Sequence, residues 1–114
     1  MTYQRVQVGE KVGEIQTPRL IIDLGALDNN YEVVANEYAK SNCKMRQHAK
    51  NIKSPIVLKR QMDKGGTVGG VCTAKISEAE VMVEGGIDDI LITSEIGGLA
   101  KVKRLVKLAA NCDL

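Results

Sequence analysis

The sequence predicts a parallel α/β fold. Short apolar runs alternate with amphipathic helical stretches, and the runs recur at about every 20 to 25 residues, the spacing of βα units. No Asn-Gly or Asp-Gly pair joins two runs as a hairpin. Arg19 to Asp23 reads as an opening strand. A helix from Gly25 to Lys40 puts Leu27, Tyr31, Val34 and Tyr38 on one face, with Asp23 as its N-cap. A strand follows at Cys43 to Ala49. The next helix has Ser54 as N-cap, Pro55 at its first position and Gly65 just past its end. Thr67 to Ala74 is a further strand. Ser77 and Glu80 read as a capping box for a helix stopping at Gly85-Gly86. Ile90 to Thr93 is a buried strand, and the last helix carries Leu99, Val102, Leu105, Val106 and Ala109 as its apolar stripe, with Asn111 able to end it.

Periodicity leaves two architectures open, a doubly wound open sheet and part of a (β/α)8 barrel. A closed barrel needs about 250 residues. Here an opening strand and helix precede three βα units, so the 114 residues are expected to be a piece of a larger fold with an unpaired sheet edge.

Composition narrows the function. With 44% apolar and 26% charged residues the chain is an ordinary globular one, and with three Tyr, no Phe and no Trp its core must be aliphatic. A net charge of +2, with both signs interspersed, gives no footprint for nucleic acid or an anionic membrane. Cys43, Cys72 and Cys112 are odd in number and widely spaced, which suits reduced thiols in a cytoplasmic protein. The N-terminal residues lack the apolar core of a signal peptide, and no run approaches the length of a membrane span.

One strand departs from the usual pattern. Central strands of parallel sheets are near-continuous apolar runs, whereas Lys44 to Lys50 alternates so that Lys44, Arg46, His48 and Lys50 share one side. Buried cations require a counter-charge, and a resident anion would supply it. Lys50 lies at the C-terminal end of the strand, where α/β folds place ligands. Crowding by cations disfavours its ammonium form and favours a nucleophilic amine. The alternative is an edge strand whose cationic face is solvated, and on spacing alone that alternative carries more weight. His48 is the only histidine. The glycine pairs form neither GxGxxG nor a P-loop, and Asp88-Asp89 precedes a strand at the end opposite the expected site.

Thr17-Pro-Arg-Leu-Ile-Ile-Asp-Leu24, followed by Ala26-Leu27 and Asn30, resembles the opening of the D-threonine aldolase-like and D-serine dehydratase-like pyridoxal-phosphate enzymes. Arg46-Gln-His-Ala-Lys-Asn-Ile-Lys-Ser54 is similar to their arginine-proline-histidine-x-lysine-threonine-histidine-lysine motif. Gln47 stands at the proline, and Asn51-Ile52 at the threonine-histidine. Val71 to Met82 and Gly86 to Thr93 match two further blocks in order, so the resemblance runs from about Val12 to the chain's end.

The resemblance implies that residues 1–114 are the N-terminal part of an alanine racemase-type (β/α)8 (TIM) barrel, lacking a C-terminal β domain. It implies a lyase acting on small D-β-hydroxy amino acids, by aldol cleavage or dehydration, through a Lys50 Schiff base with pyridoxal 5'-phosphate. Lys50, His48 and Arg46 are its expected cofactor contacts, and Lys50 its catalytic residue. It further implies a homodimer when full length and a divalent metal (Mn, Mg or Zn) held by residues outside this chain. By itself the segment is expected to be inactive. The alternative within the same barrel group is a non-catalytic protein that handles pyridoxal phosphate.

Overall fold

The computed structural model describes residues 4–114. After one turn of 3-10 helix at Val12–Glu14, the elements alternate as α1 (Leu24–Tyr38), β1 (Met45–His48), α2 (Pro55–Lys64), β2 (Thr67–Thr73), α3 (Ile76–Glu84), β3 (Ile90–Ile92) and α4 (Leu99–Ala109). The strands form one parallel sheet in the order β1-β2-β3, so each crossover helix joins neighbours. The backbone beside β3 is taken up by Asp113. Its carbonyl accepts from Ile90 N–H at 2.8 Å, and its N–H donates to Asp88 at 2.7 Å.

Local chemistry explains most of the helix ends. The Asp23 carboxylate accepts from Ala26 N–H at 3.0 Å, which opens α1 as its N-cap. Tyr31 is buried, and Leu27, Val34 and Tyr38 are half-buried on the same face. In α2, Ser54 caps the N-terminus, Pro55 needs no hydrogen-bond acceptor there, and Gly65 closes the end. Asn111 ends α4 by donating from its backbone to Leu108 and from its side chain to Lys107.

Three expectations are corrected. Arg19 to Asp23 is not a strand: no described strand lies beside it to pair its backbone, and Leu20, Ile21 and Ile22 are exposed, Leu20 fully so at 101%. The capping box is not formed by Ser77 and Glu80. The α3 helix begins at Ile76, so Glu78 is the third helical residue and folds back to accept from Ala74 N–H at 2.8 Å, while Glu80 pairs with Arg104. The stripe of α4 is also rotated from the one expected. Leu108 is buried and Leu105 half-buried, whereas Leu99, Val102 and Val106 are exposed. The helix packs chiefly on α3, and Leu99, Val102 and Val106 lie on its exposed side.

The core lies on one face of the sheet. Ala49, Val71 and Ile90 pack there against Leu58, Ala79, Met82 and Leu108 from the helices and Ile87 from the loop after α3. Each fully buried large side chain contributes on the order of 1.5–3 kcal/mol. The opposite face is uncovered, as the 51% exposure of Leu91 in β3 shows. The molecule is accordingly a slab of 47 × 46 × 20 Å with a radius of gyration of 16.9 Å, against about 13 Å for a compact chain of this length.

Two glycines permit close approaches that any side chain would block. At Gly85 a Cβ would stand 2.3 Å from the Pro55 ring, so the end of α3 can meet the start of α2 only without one. At Gly70 a Cβ would stand 2.2 Å from the Asp89 carbonyl oxygen and 2.5 Å from an Arg46 guanidinium nitrogen. Gly70→Ala is therefore expected to destabilise the chain by about 2–3 kcal/mol through overpacking, read as a lower urea midpoint. A midpoint unchanged from wild type would show that β2 relaxes freely there.

Ion pairs brace the helices on the outside. Arg60 joins Asp28, Lys64 joins Glu32, and Arg104 joins Glu80. Hydrogen bonds from Arg60 hold the Asp28 carboxyl below its usual range, and those from Arg104 do the same for Glu80. A carboxyl depressed in the folded state stabilises above its unfolded pKa and ceases to do so as pH falls through its folded one. Stability is thus expected to decline as pH drops below the ordinary carboxylate range. The decline should be shallower in Asp28→Asn with Glu80→Gln, as urea titrations across that range would show.

Candidate active site

The C-terminal end of β1 turns sharply around Ala49. Its N–H donates to Cys72 at 2.8 Å, and its carbonyl accepts from Ile52 at 3.2 Å and from Lys53 at 2.7 Å. Ala49 itself is fully buried in the core. Lys53 closes the turn with a positive φ of 54°. Lys50 therefore sits on a short turn pinned on one side by β2 and on the other by the approach to α2. Its side chain is exposed, and its backbone N–H donates to Nδ1 of His48 at 3.3 Å.

Alternation assigns the rest of the open face. His48 pairs in register with Cys72, and Cys72 with Leu91. Arg46 and His48 thus share the uncovered side with Gly70 and Cys72 of β2 and with Asp89, Leu91 and Thr93 around β3. Two side-chain contacts cross β2 on this side. Arg46 donates to both oxygens of Asp89, at 2.7 and 3.0 Å. His48 Nε2 meets Thr93 Oγ1 at 3.2 Å, and that hydroxyl donates to the Thr73 carbonyl at 3.2 Å. The first crossing is possible because β2 bulges: Met45 to Gln47 on β1 spans the length from Thr67 to Val71 on β2, with Gly69-Gly70 in the extra stretch.

This geometry corrects the electrostatic expectation for β1. The counter-charge is Asp89 within the chain, and its hydrogen bonds push the Arg46 guanidinium further up in pKa. Lys44 is turned away and donates to the Tyr38 carbonyl at 3.2 Å. The crowd of cations expected around Lys50 is thus not assembled, and His48 is the member of the row that touches its turn. Arg46, expected as a cofactor contact, has Nη1 and Nη2 on the Asp89 carboxylate. Among the described residues β1 is an edge strand, but its cationic face is not simply solvated, since Arg46 is paired with Asp89.

Sequence reasoning missed Asp89 and Thr93. Asp89 was set aside because it precedes a strand, and that position is what lets it meet Arg46 near the start of β1. Thr93 offered no local signal, since its partners lie 45 and 20 residues away. The three cysteines are free thiols, and no group of three or more metal-ligating side chains occurs among the described residues. Beyond the ends of β2 and β3, a cavity of about 140 Å³ is lined by Lys75, Ser77, Glu95, Lys101 and Arg104 among others; neither His48 nor Lys50 lines it.

No family model matches the chain. It is 46% identical over 101 residues to 3-hydroxy-D-aspartate aldolase of Paracoccus denitrificans, covering 88% of this chain and 26% of that protein. D-threonine aldolase of an Arthrobacter species is 35% identical over 103 residues, or 90% of this chain and 27% of the relative. The crystal structure of D-threonine aldolase from Filomicrobium marinum superposes with a TM-score of 0.82 at 42% identity, over 89% of this chain and 27% of that one. This chain is a homologue of these aldolases. It spans about a quarter of the length of the relatives it matches, and its α/β arrangement with a three-stranded parallel sheet is the fold of the matching part of the solved enzyme. No helix is long and apolar enough to cross a membrane among the described residues.

The Arg46–Asp89 pair is only partly shielded, with side-chain exposures of 27% and 38%. Asp89→Asn is therefore expected to cost about 1 kcal/mol. A double-mutant cycle of Asp89→Asn with Arg46→Met in urea should show coupling of that order. Strict additivity would mean that the two side chains act independently.

Proposed function

We propose that this stretch forms part of a pyridoxal-phosphate-dependent lyase for small D-β-hydroxy amino acids, with Lys50 as the lysine that carries the cofactor. The observation that carries the reading is the Lys50 turn. A reachable primary amine stands on a firmly anchored backbone at the C-terminal end of a parallel strand, within a segment 46% identical to a 3-hydroxy-D-aspartate aldolase. In this reading the three strands are consecutive staves of a (β/α)8 barrel. Their uncovered face turns inward and the Lys50 turn stands at the mouth.

The residues fit one part of the cofactor. Lys50 supplies an amine able to condense with an aldehyde, and His48 lies against the same turn. Arg46 has Nη1 and Nη2 engaged by Asp89, so it is not carried over as a contact to the phosphate. Bound pyridoxal phosphate would supply the electron sink for the bond broken at Cα of the amino acid. The part of this chain is to present the Lys50 amine and to set His48 against its turn. Arg46 acts at the far end of that face as a brace between β1 and β3.

Incubation with pyridoxal phosphate, borohydride reduction and peptide mass spectrometry should place the reduced adduct on Lys50. Lys50→Ala should lose that adduct and, in the full-length protein, cleavage of D-threonine or 3-hydroxy-D-aspartate. Absence of an adduct on Lys50 would overturn the cofactor assignment. A labelled Lys50 with no turnover of any D-β-hydroxy amino acid would overturn the lyase and favour non-catalytic cofactor binding.

A further inference from the structure

We propose that Thr93 is a positioning residue that fixes His48 as its Nε2–H tautomer and, through it, holds the turn that carries Lys50. The proposal deepens the reading above and rests on it for its catalytic meaning, while the hydrogen-bond chain itself stands on geometry.

The direction of that chain is set from both ends. At one end the Lys50 backbone N–H can only donate, and it points at His48 Nδ1 from 3.3 Å. Nδ1 must therefore accept, which leaves the proton of a neutral imidazole on Nε2. At the other end the Thr73 carbonyl can only accept, and it receives the Thr93 hydroxyl at 3.2 Å. A lone pair of Thr93 Oγ1 is thereby turned to His48 Nε2, 3.2 Å away. Donor meets acceptor at every step: Lys50 N–H to His48 Nδ1, His48 Nε2–H to Thr93 Oγ1, Thr93 Oγ1–H to the Thr73 carbonyl. The opposite tautomer would set an Nδ1–H against the Lys50 N–H and leave two donors facing each other.

The chain ties three segments together at the same end of the sheet. Thr93 follows β3, Thr73 ends β2, and His48 is the last residue of β1. The Thr93 backbone N–H also donates to the Thr73 carbonyl at 2.9 Å. Loss of the hydroxyl would therefore leave the backbone link from β3 to β2 in place while removing the hydroxyl's own bond to Thr73 and the connection onward to His48. Ala49 fixes the inner side of the Lys50 turn through backbone bonds, and His48 is the side chain that reaches its outer side. Orientation of the imidazole thus controls the restraint on the residue next to the core anchor.

Selective 15N labelling of histidine on the full chain tests the chain of bonds, with His48→Asn assigning the His48 signals. The expected spectrum has a protonated Nε2 and an accepting Nδ1. Thr93→Val should broaden or shift the Nε2 signal, raise hydrogen exchange of the Lys50 amide roughly fivefold and slow borohydride-trapped labelling of Lys50. Thr93→Ser should restore all three. A protonated Nδ1 in the wild-type protein, or Lys50 exchange and labelling unchanged in Thr93→Val, would overturn the proposal. Failure of wild-type Lys50 to label would reject the cofactor reading instead; the tautomer and the amide exchange would still decide the role of Thr93.

Discussion

A parallel sheet covered by helices on one side only is the constraint from which the rest of this molecule follows. Ala49, Val71 and Ile90 are drawn to the covered face because their burial against Leu58, Met82 and Ile87 is the main favourable term available to a chain without Phe or Trp. Side chains alternate along each strand, so fixing that face fixes the other. Arg46, His48, Cys72, Leu91 and Thr93 are then committed to the uncovered side without any local preference of their own. A slip of one residue in β1 would drive Arg46 into the aliphatic core and lift Ala49 out of it, so the hydrophobic pattern determines the geometry of the polar residues.

The polar side has its own internal order. Parallel strands at an uncovered edge would leave cations pointing into water or into one another. Here two contacts cross β2, one ionic and one neutral. The ionic crossing needs room, and the bulge at Gly69-Gly70 provides it. Its partner shielding is partial, so its contribution is modest and lies in register as much as in energy. The neutral crossing carries direction, because a backbone donor stands at one end and a backbone acceptor at the other. The start of the sheet is thus braced by charge, and its C-terminal end is ordered by a hydrogen-bond chain leading to the Lys50 turn.

What was legible in the sequence was what depends on neighbours along the chain. Asp23, Ser54-Pro55 and Gly65 mark helix ends by bonding within a turn, and the structure has them in those roles. The parallel order of strands followed from spacing. Signals that depend on an absent or distant partner misled or were silent. Arg19 to Asp23 has strand composition, but a strand needs a neighbour and none is described. Ser77 and Glu80 have capping-box spacing, yet Lys75 holds the cap position and Glu78 reaches back in place of Glu80. The cations of β1 suggested an external anion because Asp89, 43 residues on, could not be paired with Arg46 by spacing. Lys50 is a candidate on motif and strand polarity together; Thr93 could emerge only once three strands were in register.

Exposure of Lys50 bears on the functional reading in a particular way. An amine that must meet an aldehyde and later an amino acid has to be reachable, so burial would count against it. A reachable side chain on a loose loop, however, would be poorly placed for chemistry that depends on orientation. The turn resolves that conflict by dividing the two requirements between adjacent residues. Ala49 is sealed in the core and ties the backbone to β2 and to Lys53, while Lys50 projects outward from the next position. Two of the cations expected to crowd it are engaged elsewhere, Arg46 with Asp89 and Lys44 with the Tyr38 carbonyl. On the proposed reading, whatever lowers the barrier to condensation at Lys50 must come from groups other than Arg46 and Lys44. On that reading the contribution of this chain is the fixed position of the amine, with His48 and Thr93 as the proposed side-chain part of that fixation.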